Sequence, residues 1–385
     1  MSSVAEWILE NKDKIEKGVE ILGQGCEILA KTVGQFHPVL EMFFKISAEF
    51  LHNPEGKQAT YLAQQFERVN QKLEKIQAES EKIKLALQRS LVNIQNFKFY
   101  TQIINQYEMF KYIFTAKPKF KELKIDEFLI YYDEYEGDKN LDCLYNAIIK
   151  ENVLGTIVDS EQRSRRAVEE SCACLKKVFV VGIIALMGYT ALKEGTVGED
   201  MVKKWQERME DVEKRMKVAV DECVNNFAEQ AEIDIDQKLK EKQSSVDPEF
   251  TEFLLDALVK KYDWVSWSVR VFKDDDDSKL GRFLFGKQQH VSGGNVNYFE
   301  HLCNNKIRVV VSFTTDPKPL NKSQIKDQIE EEKGDMKSVA ESLCKSLPNC
   351  HVHAVSRKVE EANNFDPECY YYAVHKRAHI CIHSE

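Results

Sequence analysis

The chain has 385 residues, a formal net charge of −9 and a pI near 5.7. That acidic balance argues against a nucleic-acid binder, because neutralising phosphates takes clustered Lys and Arg. Charged residues make up 30% of the chain against only 16 Gly and 8 Pro, which calls for long helices, and 10 cysteines without a CxxC pair describe a reduced, intracellular chain with no disulfide framework.

The N-terminus, MSSVAEWILENKDKIEKG, mixes charge throughout and shows no signal-peptide order of basic, apolar and small residues. From Ile15, apolar residues at Val19, Leu22, Cys26, Leu29, Val33 and Phe36 alternate steps of four and three, a heptad seam. Pro38 disfavours helix at His37, so a break is expected there, and His52–Gly56 supplies turn chemistry after Phe50. Leu62, Phe66, Val69, Leu73, Ile76, Ile83, Leu87, Ile94 and Phe97 then share one 3.5-residue grid. They predict a single helix from about Lys57 to Phe114, ended by the turn around Pro118. A helix so amphipathic needs partners to be stable.

Phe120–Lys150 reads as two short helices around Gly137 and Asp138. Asp159 or Ser160 is placed to cap a helix that begins EQRSRRAVEE and runs straight into Val178–Leu192, VFVVGIIALMGYTAL. Those fifteen residues carry no charge and are closed by Lys176 and Lys177 on one side and by Lys193 and Glu194 on the other. As a helix they would be about 22 Å long, against a hydrocarbon core of about 30 Å. The stretch is short for a constitutive membrane span and too apolar for a surface helix. Two readings follow: a central helix or hairpin buried by the surrounding helices, or a latent membrane segment that they keep soluble. Gly182 and Gly188 sit where a hairpin could bend. On the second reading Val178, Phe179, Val180, Val181, Gly182, Ile183, Ile184, Ala185, Leu186, Met187, Gly188, Tyr189 and Leu192 would meet lipid. Arg163, Arg165, Arg166, Lys176 and Lys177 would then meet anionic headgroups, at about 1 kcal/mol each. The competing reading of those cations is a solvated helix face, partly neutralised by Glu161, Glu169 and Glu170.

Gly195–Asp200 reads as a turn, after which Val202, Trp205, Met209, Val212, Met216, Ala219 and Cys223 form a second seam with a phase slip near Asn226. The methionines on it are core filler, not a cofactor box. The polar cluster Gln243–Phe250 is the expected domain boundary. Beyond it a short helix (250–260) precedes a period-two strand at Trp264–Phe272, an acidic loop at Asp274–Asp277, and a short strand near Phe283–Phe285. Then come a strand at Ile307–Thr314, a helix over Lys322–Ser346, a strand at His351–Ser356, and a hairpin of Tyr370–His375 with His379–His383. His379, Cys381 and His383 share one strand face and His351 and His353 another; such imidazoles and thiols suit Zn²⁺ when strands adjoin, but no finger spacing occurs and no metal site is assigned. There is no GxSxG, phosphate-binding loop, HExxH or dinucleotide fingerprint, and Ser292–Asn295 reads as a turn, so neither an enzyme nor a cofactor is expected.

Four segments, EWILENKDKIEKGVEILGQG, EQRSRRAVEESCACLKKVFVVGIIALMGYTAL, KWQERMEDVEKRMK and YDWVSWSVRVF, resemble the rapunzel family of fish proteins. The likeness spans most of residues 6–243 and, more loosely, the C-terminal part. It implies a role in vertebrate development, notably fin and skeletal growth, and brings no catalytic residue with it. The family is in turn similar to the cephalotoxin group of salivary toxins, which implies lethality to prey. Long helices around one apolar element also resemble, in layout alone, the helical pore-forming toxins of cytolysin A type.

The sequence therefore predicts a mainly α protein. An elongated bundle of long antiparallel helices around an apolar hairpin or helix (1–245) precedes a C-terminal mixed α/β module (250–385). A lipid membrane is one expected partner, and a second copy or another protein engaged through the coiled-coil seams is the other; nucleic acid and small-molecule substrates are not expected. The expected location is cytoplasmic, with membrane association when the apolar segment is exposed.

Overall fold

The computed structural model describes residues 94–385 apart from 195–196, 275–289, 294–296, 335, 348, 356–358, 376–377 and 385, with isolated helical positions at Asp13, Gln64, Arg68 and Gln71. The first heptad seam, the break at Pro38, the helix expected from Lys57 as far as residue 93 and the strand expected near Phe283 lie outside the described residues. The protein is mainly α with a C-terminal α/β module, and it divides into two compact units, Met1–Asn225 and Asn226–Glu385.

The described part of the first unit holds α1 (Ile94–Thr115), α2 (Lys121–Glu134), α3 (Gly137–Ile149), α4 (Val153–Ser160), α5 (Arg165–Glu194) and α6 (Glu199–Asn225). The turn at Pro118 is a 3₁₀ segment, Pro118–Phe120, and the pair of short helices meets at Gly137 as expected. The capping expectation fails. Asp159 and Ser160 belong to the last turn of α4, a short helix whose glycine and β-branched residues (VLGTIV) give little helical signal. The chain then reverses through Gln162 and Arg163, both in the left-handed region at φ 49° and 53°. Arg163 N–H donates to Val158 O at 2.9 Å and Ser164 N–H to Glu161 O at 2.9 Å, so the turn satisfies the carbonyls at the end of α4. Helix α6 buries Trp205, Met209, Val212, Met216, Ala219 and Cys223, the seam the spacing predicts. These side chains join the core of their own unit, so the seam is intramolecular.

The second unit is a four-layer sandwich. Helices α7 (Phe227–Glu241) and α8 (Pro248–Lys261) cover an antiparallel sheet of order β3-β4-β1-β6, built from β1 (Ser266–Lys273), β3 (Tyr298–Leu302), β4 (Ile307–Thr314) and β6 (Val359–Asn363). The other sheet, β2-β5-β8-β7, comprises β2 (His290–Gly293), β5 (Cys350–Val355), β7 (Tyr370–His375) and β8 (Ala378–Ser384), covered by α9 (Lys322–Glu331) and α10 (Met336–Ser346). Phe227, Ala231 and Ile235 of α7 and Leu254 and Leu258 of α8 pack on Trp267, Val269 and Val271. Lys261 Nζ meets Asp234 at 2.6 Å and the Tyr262 hydroxyl donates to Asp234 at 2.7 Å, pinning α8 to α7.

The compact unit thus begins at Asn226, upstream of the Gln243–Phe250 cluster where the boundary was expected. The phase slip at Asn226 marks the start of that unit, and the polar cluster holds the turn between α7 and α8. Asp247 does cap α8, its carboxylate accepting Phe250 N–H at 2.8 Å with Pro248 at the first helical position. The helix expected over Lys322–Ser346 is two helices, α9 and α10, with Gly334 in the interruption. Ser292 and Gly293, expected in a turn, close strand β2 and pair with His353 and Val352. Strands β3 and β6 were not expected; both lie at sheet edges and carry polar residues.

Candidate membrane segment

A run of fifteen uncharged residues needs apolar surroundings on every side, and α5 supplies the element that carries it. Val178 through Tyr189 are all buried, as is Ala191, and Leu192 is partly buried. The stretch is one continuous helix, so the hairpin alternative does not hold. The reason lies at the two glycines. A Cβ on Gly182 would stand 2.6 Å from Leu141 Cδ1 and 2.9 Å from Ile103 Cγ2, and one on Gly188 would run into the ring of Phe110. Both glycines are where α1 and α3 press closest onto α5; neither is a bend.

The C-terminal end of the segment is tied down by aromatic and polar contacts. Phe110, Phe128 and Tyr132 follow one another at ring distances of 5.3 and 5.7 Å, and Tyr132 stacks on Tyr189 at 4.3 Å. The Tyr189 hydroxyl donates to Asp133, Lys193 Nζ reaches the same carboxylate at 3.3 Å, and Lys193 also lies over the Tyr189 ring at 4.8 Å. Those two donors hold the Asp133 carboxyl below its ordinary value. Burial pushes the Tyr132 phenol well above its own, while that hydroxyl donates to Asp138 at 3.1 Å. Asp133 and Tyr132 were not singled out by sequence; the signal for the tie was Tyr189 and Lys193 one turn apart at the end of the apolar run.

The expected headgroup cations are not brought to one place. Arg163 sits in the left-handed turn ahead of the helix; Arg165, Lys176 and Lys177 are partly buried and Arg166 is exposed. Arg165 and Lys176 are eleven residues apart and so share a face of α5 about 16 Å from each other, as do Arg166 and Lys177. Lys176 and Lys177 line a cavity of about 590 Å³ between α5 and α6, with Lys217, Glu169 and an apolar floor that includes Met216 and Val220. Lys217 was not expected there; it comes from the second seam helix and also pairs with Asp221 at 2.6 Å.

Among the described residues, α5 is the one helix long and apolar enough to cross a membrane. It has 30 residues and an 18-residue window of mean hydropathy 1.8, of which 72% is buried inside the protein. The whole helix is about 45 Å long and its uncharged run about 22 Å, against a hydrocarbon core of about 30 Å.

The family model for the cephalotoxin-like middle helical domain matches residues 52–245. The chain belongs to the cephalotoxin-like family. Its matched region contains every described helix from α1 to α7 and ends at the Gln243 turn, so in this cephalotoxin-like chain the matched region includes α7, which packs in the C-terminal unit. Protein rapunzel of Danio rerio is 22% identical over 225 residues, which are 56% of this chain and 97% of that protein. No solved structure matches the chain.

The C-terminal histidines fall in a different setting. His351 pairs with His383 and His353 with Cys381 across β5 and β8, which places them on the inner face of the second sheet. His351, His353 and His383 are fully buried and their rings lie against one another, at 5.2 Å for His351–His383 and 6.0 Å for His353–His383. Among the described residues no group of three or more His, Cys, Asp or Glu converges as metal ligands would.

Proposed function

We propose that this is a non-enzymatic helical protein that keeps a bilayer-length apolar helix buried in its own core and acts at membranes by releasing it. The single observation that carries this reading is α5: a helix of membrane-crossing length and hydropathy, wrapped by shorter helices in place of lipid. Among the described residues, α2, α3 and α4, of 14, 13 and 8 residues, and the longer α1 and α6 would need to part from it. One helix per chain lines no aqueous path, so a pore of the helical-toxin kind would require several copies. Lys176, Lys177 and Lys217 would lie at the headgroup level as the helix inserted. A rapunzel-type developmental role, in fin and skeletal growth, is the setting in which such an activity would be used.

The second reading is a soluble interaction protein in which α5 is permanent core, and the glycine packing at Gly182 and Gly188 favours it. Vesicles containing anionic lipid separate the two. Membrane action predicts binding and release of an entrapped dye once the helical unit is loosened by mild detergent or acid, with α5 becoming protected by lipid. A chain that stays unbound under every condition in which it remains folded would leave the soluble reading. Val181→Asp adds the complementary arm. A buried, unpaired carboxylate costs on the order of 3–5 kcal/mol, so the soluble reading predicts loss of the fold with no membrane phenotype to score.

A further inference from the structure

The inner faces of the two sheets of the C-terminal unit meet around a buried guanidinium that, among the described residues, forms no ion pair. Arg270, at the middle of β1, is fully buried. Its Nη2 donates to Ser312 Oγ at 2.8 Å, while Nε and Nη1 are buried without a hydrogen-bond partner. Glu361 is its neighbour across β1 and β6 in the strand register, yet makes no ion pair with it and accepts instead from Cys381 Sγ at 3.2 Å. A buried guanidinium with two donors left without hydrogen bonds is costly. The sequence already hinted at this, since an arginine stands in the alternating strand VSWSVRVF with an inward-facing serine two positions before it.

Two hydrogen-bond chains approach Arg270, and their outer ends fix the histidine tautomers. In the first, the Ser384 carbonyl accepts from His383 Nδ1–H at 2.8 Å, and His383 Nε2 accepts from the Ser312 hydroxyl at 2.8 Å. Ser312 in turn accepts from Arg270, so that chain is complete. In the second, the Glu300 carboxylate accepts from His290 Nδ1–H at 3.3 Å, and His290 Nε2 accepts from His353 Nδ1–H at 3.1 Å. His353 Nε2 is left as a bare lone pair, buried and without a partner. On these two chains the remainder is two guanidinium nitrogens that must donate and one imidazole nitrogen that must accept. A bare anion would satisfy the first and oppose the second. An anion that arrives with a proton, on itself or on His353, satisfies all of them.

We propose that the interior between the two sheets binds a small oxyanion together with one proton, with Arg270 as the anchor and His353 Nε2 as the proton acceptor. The groups around His353 agree with that assignment. His290 stacks on it at 5.4 Å from β2, Tyr298 meets it edge-on at 5.4 Å from β3, and His351 and His383 flank it on β5 and β8. Cys381 faces it across the strand pair, and Tyr370 from β7 is bonded to Ser268 of β1 at 3.0 Å. Among these groups Glu300 and Glu361 are the carboxylates, and each already accepts from another side chain. Burial first, and then the Arg270 charge, hold the His353 imidazole well below its ordinary value. An oxyanion that cancels Arg270 removes the second cause, which is why proton and anion would enter together.

Inorganic sulfate is the probe, because it stays fully deprotonated between pH 6 and 8 and any proton taken up must go to the protein. With the full chain, melting midpoints and calorimetric titrations are measured in sodium sulfate against sodium chloride of matched ionic strength. The expected result is a higher midpoint in sulfate alone, and an affinity that rises about tenfold for each pH unit lowered, with one proton taken up per sulfate bound. Arg270→Met is expected to fold and to lose the sulfate effect. His353→Gln, which keeps Arg270, is expected to bind sulfate with an affinity independent of pH. Equal midpoints in sulfate and chloride, or the same pH dependence in wild type and His353→Gln, would overturn the proposal.

Discussion

Gly182 and Gly188 make opposite demands on the same substitution. Replacing either with Ala improves helix propensity by about 1 kcal/mol, and overpacking a filled core costs about 1–3 kcal/mol. At Gly182 the new methyl meets the ends of Leu141 and Ile103, which can rotate; at Gly188 it meets the flat ring of Phe110, itself 1% exposed and held against Phe128. Gly182→Ala should therefore be close to neutral in urea unfolding, while Gly188→Ala should lose about 1–2 kcal/mol. Asp133 carries the other residue-scale expectation. Its carboxyl is depressed from 3.8 by Tyr189 and Lys193, so the stability it adds is present above pH 4 and is lost as pH falls through the lowered folded value. Because the side chain is 58% exposed the pair is worth under about 1 kcal/mol. Melting curves of wild type and Asp133→Asn should differ by a small, constant amount from pH 5 to 8 and converge only in strong acid. Any release of α5 at mildly acid pH must then come from elsewhere.

At the scale of an element, α6 shows what a heptad seam means in this chain. Its apolar side chains lie in the core of the unit, and its outer face carries solvent-exposed ion pairs such as Lys217–Asp221 and Lys214–Asp211. Where it faces α3, Arg208 pairs with Asp142 and lies over the Tyr145 ring at 4.7 Å. Met209→Ala should cost about 2–5 kcal/mol as a large-to-small core change. Val218→Ala, at a position 61% exposed on the same helix, should stay within about 0.5 kcal/mol. Equal, small effects at both positions in chemical denaturation would mean that the seam faces a partner chain. Helix α5 differs from α6 in having no polar face over its second half, which is why it takes neighbours on several sides while α6 packs through one stripe.

For the molecule as a whole, the place where the chain divides decides which pieces fold. A fragment of residues 226–385 keeps Phe227, Ala231 and Ile235 against Trp267 and Val269, and it should unfold in one cooperative transition. A fragment of 246–385, cut at the polar cluster, exposes that sheet face and breaks the Asp234 contacts to Lys261 and Tyr262; it should aggregate or melt without cooperativity. Circular dichroism melts of the two fragments decide the point. The cephalotoxin-like match runs through α7 to residue 245, so the segment is shared in sequence with the helical domain while its side chains serve the C-terminal core.

Local pattern was enough for much of this. The spacing of Trp205 to Cys223, the turn at Pro118, the strand IRVVVSFT and the pairing partners Tyr370–His375 and Ala378–Ser384 each follow from periodicity over a few residues, and chain-local geometry imposes that periodicity. The apolar run itself was legible for the same reason, since fifteen uncharged residues must be hidden somewhere. Whether it bent was not legible: a glycine has the same sequence signature at a hinge and at a close helix contact, and only the approach of Phe110, Ile103 and Leu141 decides between them. The edge strands β3 and β6 were likewise unreadable, because their polar alternation becomes a strand only once β4 and β1 offer hydrogen-bonding partners. Arg270 is the clearest case. Its strand could be read from one sequence segment, but its burial depends on two sheets that come together from residues far apart in the chain.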